Sequence, residues 1–199
     1  QYDGVWQVTD DTLGTPQGNV RAGMARIKDI NGDKVINSLD RTILGQIQPD
    51  FTWGLSNTFT YKNLSLYVFA YGVAGRSQPN SLLSDNGVNS GVRYTTVVKN
   101  WWTRTNPTND FYANMLNATG GLSVPILENS SFVRIRDISL TYDFKGKVLT
   151  KTGLSRLKAY VQVRNPFTFT KWSGLDPEFT SQTTVPLQKE FLVGLNISL

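Results

Sequence analysis

The chain has 199 residues, no cysteine, no histidine and a formal net charge of +5. Without those two residue types it has no disulfide framework, no thiolate or imidazole metal site, no cysteine nucleophile and no histidine general base, which removes most hydrolytic and redox chemistry. Lys and Arg are scattered singly, not clustered as a nucleic-acid surface requires, so no nucleic-acid partner is expected.

Taken in chain order, Val5 to Val8 is a short apolar patch. It leads through Asp10, Asp11, Gly14, Pro16 and Gly18 into what reads as a long loop. That loop carries the one polar motif with chemical spacing, Asp29 to Asp40. Asp29, Asn31 and Asp33 place short oxygen donors at alternate positions, Val35 offers its carbonyl, Asn37 stands ninth and Asp40 twelfth, as in a calcium loop. Lys34 holds the sixth position, where a sharp turn favours positive φ. Asp40 has less reach than the usual glutamate, so the expectation is a weak, structural calcium site. The plainer alternative is a loop of Asx turns whose side chains bond their own backbone. Arg41 to Gly45 is expected to form one or two helical turns with Asn37 as cap.

From Phe51 to Tyr61 apolar and polar residues alternate, Lys62–Asn63 makes a tight turn, and Leu64 to Val73 returns apolar on both parities, which predicts a hairpin. Trp53, Tyr61, Tyr67, Phe69 and Tyr71 are assigned to a lipid-facing girdle. Residues 74–128 are polar and rich in Gly, Asn and Ser. They hold a short helix near Thr95 to Trp102 and the aromatics Trp101, Trp102, Phe111 and Tyr112, read as packing within the loop, with a sugar-stacking surface as the alternative.

The apolar parity of Ser131 to Phe144 shifts at Arg136 or Asp137. A β-bulge there would restore one apolar face and turn Arg134 away from it. Leu157 to Val163 alternates as the next strand, which Asn165–Pro166 is expected to end, and Glu190 to Leu199 forms the last. Arg134, Arg136 and Arg164 would line a polar face. A charge ladder with Asp137 and Asp143 is favoured there over contact with a substrate. Asp176 and Glu178 invite a glycosidase reading, but nothing around them suggests a cleft, so no catalytic residue is assigned.

No apolar run reaches the roughly 20 residues of a membrane-spanning helix. The connections on one side are short, at 62–63 and 145–154. Those on the other side are long, which is the asymmetry of outer-membrane barrels. The expected fold is therefore all-β: antiparallel strands of a transmembrane β-barrel with long extracellular loops and short periplasmic turns. A soluble, calcium-stabilised β-sandwich for adhesion or carbohydrate binding is the alternative.

Several stretches in series resemble the C-terminal part of the SusC/RagA family of TonB-dependent transporters of Bacteroidetes. They are Asp3-Gly4-Val5-Trp6-Gln7, Lys28 to Asp33 with Asp40-Arg41 and Gly45, and Pro49-Asp50-Phe51 with Gly54. Further on come Tyr61-Lys62-Asn63, Ser131 to Arg136 with Ile138-Ser139-Leu140 and Tyr142, and Asn165 with Gly174 to Glu178. Lys34 departs from the family's usual glycine. The resemblance implies that residues 1–199 form a C-terminal segment of a 22-stranded outer-membrane barrel. Its plug and TonB-contacting part would lie upstream, and a SusD-like lipoprotein would be its lid. It further implies import of glycans or peptides, with Trp101, Trp102, Arg134 and Arg164 as the candidate substrate contacts.

Overall fold

The computed structural model describes residues 1–80, 100–113, 127–179 and 185–198. They divide into two units, one made of 1–46 and 78–128, the other of 47–77 and 129–199.

In the first unit, β1 (Tyr2–Val5) pairs antiparallel with β2 (Ala25–Ile27). Val5, Ala25, Trp102, Tyr112 and Ala113 form its buried core, with Tyr2, Ala22 and Ile27 packed against it. Two loops converge on this small sheet. Asn109 accepts from the Val5 amide at 3.1 Å, and Trp102 donates its indole N–H to Gln7 at 2.7 Å. Gly23, at φ +91, lies so close under the Trp102 ring that a Cβ would come within 2.7 Å of it, so only glycine fits. Trp101 bridges to Phe111 and is not helical; of the helix expected over 95–102, residues 95–99 lie outside the described set.

The second unit is a five-stranded antiparallel sheet in the order β3-β4-β7-β8-β9. It comprises β3 (Phe51–Tyr61), β4 (Leu64–Ala74), β7 (Phe132–Phe144), β8 (Arg156–Thr170) and β9 (Glu190–Ser198). The short strands β5 (Ser77–Pro79) and β6 (Leu127–Asn129) pair separately. β3 and β4 are joined by the predicted tight turn, with Lys62 at φ 54. The helix α1 (Lys147–Thr152) fills the connection between β7 and β8 and ends on Gly153 in the left-handed region.

The register shows why the parity of β7 shifts. Phe69 pairs with Asp137 but Ala70 with Ile135, leaving Arg136 as the extra residue of a bulge. Across the other edge, Ile135 pairs with Phe167 and Asp137 with Arg164, so β8 accommodates Asn165 and Pro166 in the same kink. Sequence reasoning ends the strand at Asn165–Pro166. Instead β8 runs through both to Thr170, because a bulge tolerates a residue without an N–H and Asn165 adopts φ 50 there.

With the register fixed, residues opposite one another share a face. One face is apolar across all five strands. It carries Phe51, Trp53, Leu55 and Phe59 on β3, and Leu64, Leu66 and Val68 on β4. β7 adds Val133, Ile135, Ile138, Leu140 and Tyr142, β8 adds Val161, Val163, Phe167 and Phe169, and β9 adds Phe191, Val193, Leu195 and Ile197. The other face carries Ser56, Thr58, Ser65, Ser139, Thr141, Gln162 and Asn196, together with Arg134, Asp137, Asp143, Lys158 and Arg164.

The apolar face is open, with Leu55 61% and Val193 81% exposed. A β-sandwich hides such a face under a second sheet; among the described residues none covers this one. Aromatic residues gather at both ends of the band. Tyr61, Tyr142 and Phe144 lie at the short-turn end, and Phe51, Trp53, Phe167 and Phe169 at the other. β3 has 11 residues. At about 3.4 Å each and a tilt near 45° that gives a band about 25 Å high, the apolar height of an outer membrane.

Three residues assigned to the girdle belong elsewhere. Tyr67, Phe69 and Tyr71 pair with Ser139, Asp137 and Arg134 on the polar face, a placement that β4, apolar on both parities, left open.

Candidate functional site: a buried arginine under an outer loop

Arg134 is 2% exposed and is among the largest fully buried side chains. The bulge at Arg136 aims it at the polar face, opposite Tyr71 on β4 and Thr168 on β8. Every arm of its guanidinium is engaged. Nη2 donates to Asp176 at 2.7 Å, Nη1 to Glu178 at 2.9 Å and Nε to the Thr168 hydroxyl at 3.0 Å. The guanidinium also lies over the Phe132 ring at 5.3 Å, which stacks edge-on against Tyr71.

The two carboxylates come from the segment after β8, and each is tied a second time. Asp176 accepts from the Glu178 amide at 2.9 Å and from the Leu187 amide at 3.2 Å, so it braces both limbs of the loop. Glu178 also accepts from the Tyr71 hydroxyl and lies 4.0 Å from Arg136, which is itself held over the Tyr71 ring. Arg76 donates to the Pro177 carbonyl and to Ser130. A buried charge demands this degree of pairing, because an unpaired one costs several kcal/mol. The expected partners of Arg134 were Asp137 and Asp143. Its real partners lie more than 40 residues away in sequence, and the only signal for them was two carboxylates in an otherwise uncharged stretch, Gly174 to Phe179.

Arg164 does join a charge ladder, 4.0 Å from Asp137 and 3.4 Å from Glu190, and Asp143 pairs with Lys158 at 3.0 Å. Beside the Arg134 cluster, a cavity of about 400 Å³ runs between β8 at 165–170 and the segments 174–177 and 186–189. Trp102 is consumed by the core of the first unit, whereas Trp101 is half-buried against Phe111 and Tyr112.

The loop at 29–40 is held by its own hydrogen bonds. Asp29 accepts from the amides of Gly32 and Lys34, Asn31 from Asp33, Asp33 from Val35, Asn37 from Leu39, and Asp40 from Ile30 and Asn37. Lys34 takes the left-handed φ of 65 expected at the sixth position. The helical turn falls at Ser38–Asp40, with Asn37 and Asp40 forming a capping box. The cap at Asn37 and Asp40 at the third position are as expected, but the turn stops at Asp40 and does not continue through Arg41 to Gly45. The amide of Asn37, and next that of Ile30, hold the Asp40 carboxyl below its ordinary value of 3.8. Among the described residues no three carboxylates gather closely enough to hold a metal ion. As folded, these donors serve Asx turns.

A sheet with an exposed apolar band, aromatic ends and a polar face that clamps an outer loop is the wall of an outer-membrane β-barrel. No family model matches the chain. It is 32% identical over 181 residues to TonB-dependent receptor P3 of Formosa agariphila, covering 89% of this chain and 18% of that protein. It is 29% identical over 209 aligned positions to TonB-dependent receptor SusC of Bacteroides thetaiotaomicron, covering 97% and 19%. Among solved structures, the RagAB peptide importer in its open-open state superposes with a TM-score of 0.68 at 23% identity, over 100% of this chain and 22% of the other. The chain belongs to the SusC-like TonB-dependent receptors, a family of outer-membrane proteins and not of enzymes. It spans about a fifth of the length of the relatives it matches.

Proposed function

We propose that this chain supplies barrel wall and outer loops to a TonB-dependent importer of glycans or peptides that works with a SusD-like surface lipoprotein. The observation that carries the proposal is the two-faced sheet. Its strands satisfy one another's backbone groups, as hydrocarbon requires, and present apolar side chains to lipid and polar ones to a lumen. Transport energy would come through TonB by way of other parts of the protein, and this segment's own work is passive: it encloses the path and shapes its mouth. Arg134 and Arg164 lie on the lumenal face in this reading, but Arg134 is buried and spent on carboxylates, so substrate contact falls to exposed groups such as Arg164 and Arg136, whose side chains are 49% and 44% exposed.

Deleting the gene for the whole protein and measuring uptake of oligosaccharide pools and of peptide pools tests the reading. Loss of one pool, together with recovery of a surface lipoprotein on a tagged copy of the intact protein, is expected. Unchanged uptake of both pools and no lipoprotein would contradict it.

A calcium role for the 29–40 loop has a separate test. A melting temperature of the intact protein that rises with calcium and falls with chelator would support an ion there. The hydrogen-bond set favours no change.

A further inference from the structure

We infer that Arg134 is a positioning residue that fixes segment 174–178 on the polar face as a rigid post, so that this part of the outer loop does not move as a lid. The inference rests on the wall reading, because it takes the polar face as lumenal.

The arrangement has two halves with different exposure. Asp176 is buried with Arg134, their side chains 6% and 2% exposed, whereas the Glu178 side chain is 32% exposed. Asp176 ties the strand to both limbs of the loop, through the amides of Glu178 and Leu187. This half cannot open without stranding two opposite charges in a dry site. Glu178 instead shares one carboxylate oxygen among Tyr71, Arg134 and Arg136. Its release would leave the Arg134–Asp176 pair intact.

Pro177 stands between the two carboxylates, and its carbonyl accepts from Arg76. Proline fixes φ, and this carbonyl bond pins the chain between its two charged anchors. The post is therefore held from β4, β7 and the Arg76 segment at once, while Thr168 of β8 orients the Arg134 fork. A planar guanidinium with five donors in a fixed fork can serve three acceptors in this way; an ammonium cannot.

The test uses the intact protein in outer-membrane vesicles, with a spin label on a cysteine placed at Leu175, which is 56% exposed. In the wild-type background the label should be slow. Arg134→Met, which keeps length and removes the fork, should shorten its correlation time several-fold, and Arg134→Lys should recover only part of the restraint. Glu178→Gln should leave the label nearly as slow as in the wild type, because the Asp176 half persists. If Arg134→Met prevents barrel assembly, seen as loss of the heat-modifiable folded band, Asp176→Asn provides the same comparison with the guanidinium kept. A label equally slow in Arg134→Met, or in Asp176→Asn should that variant be needed, would overturn the inference, as would a label already fast in the wild type. Failure here leaves the uptake result standing, whereas failure of the uptake assay would remove the lumen without freeing the post.

Discussion

The two units of this chain bury opposite things. In the first, apolar side chains gather inward in the usual way: Val5, Ala25, Trp102 and Tyr112 are hidden and the polar loops surround them. In the sheet the order is reversed. Leu55, Val161, Val193 and Leu195 face outward, and the most deeply buried large side chain is Arg134. Both patterns obey the same rule, that a group is placed where its surroundings match it. The first unit hides its apolar groups as a domain in water does, whereas the apolar side of the sheet is built for hydrocarbon. One consequence is that hydropathy summed along the sequence sees little, because lipid-facing and lumenal residues alternate.

The contrast can be broken by substitutions of similar size on the two sides. The largest effect is expected from Trp102→Ala in the first unit. It opens a cavity over Gly23 and strands the Gln7 side-chain oxygen that accepts from the indole, at a cost of about 3–5 kcal/mol. Limited proteolysis of the intact protein should then cut residues 1–46 much faster without loosening the sheet.

Next is Val161→Lys at the middle of the apolar band, expected to cost about 2–4 kcal/mol, while Gln162→Lys, one residue along and on the polar face, should cost well under 1 kcal/mol. Urea midpoints of the folded protein in vesicles measure both. Equal costs would erase the distinction between the faces.

Asn37→Ala removes the cap of the 29–40 loop and should cost about 1 kcal/mol, read as faster proteolysis between 29 and 45. The same loop has a pH signature. Because folding lowers the Asp40 carboxyl below 3.8, its contribution is complete above that value and is lost as pH falls further through the folded one. Asp40→Asn should flatten this acid dependence.

The smallest effect is at alkaline pH. Burial, and then the charge of Asp110, push Tyr2 up to about 12. The first unit should therefore keep this contribution below pH 10 and lose it as pH rises through about 12, with Tyr2→Phe insensitive.

Much of the sheet was legible because its pattern is local. The hairpin at Lys62–Asn63 follows from alternation and turn chemistry, and the bulge at Arg136 follows from a single parity shift. Pro166 misled because proline usually ends a strand, and only the register across two neighbours reveals a kink that absorbs it. The faces of Tyr67 and Tyr71 were hidden because β4 is apolar on both parities. The site was less legible than the fold. That Arg134 turns away from the apolar face could be read from β7 alone, but its partners Asp176 and Glu178 meet it only through tertiary structure. The loop at 29–40 shows the converse limit. The same spacing serves Asx turns and calcium alike; the hydrogen bonds show the turns formed, and spacing alone does not separate the two.

Absence of native cysteine from this chain permits the most direct test of the central claim, that the two faces of one strand meet different solvents. Single cysteines at Ser139, Leu140 and Thr141 of the intact protein, in outer-membrane vesicles free of other reactive cysteines, are offered a membrane-impermeant maleimide and a lipid-dissolved quencher of an attached fluorophore. Ser139 and Thr141 should react with the water-soluble reagent and escape the quencher, while Leu140 should show the reverse. Uniform labelling of all three, or water-soluble labelling of Leu140 alone, would contradict the account.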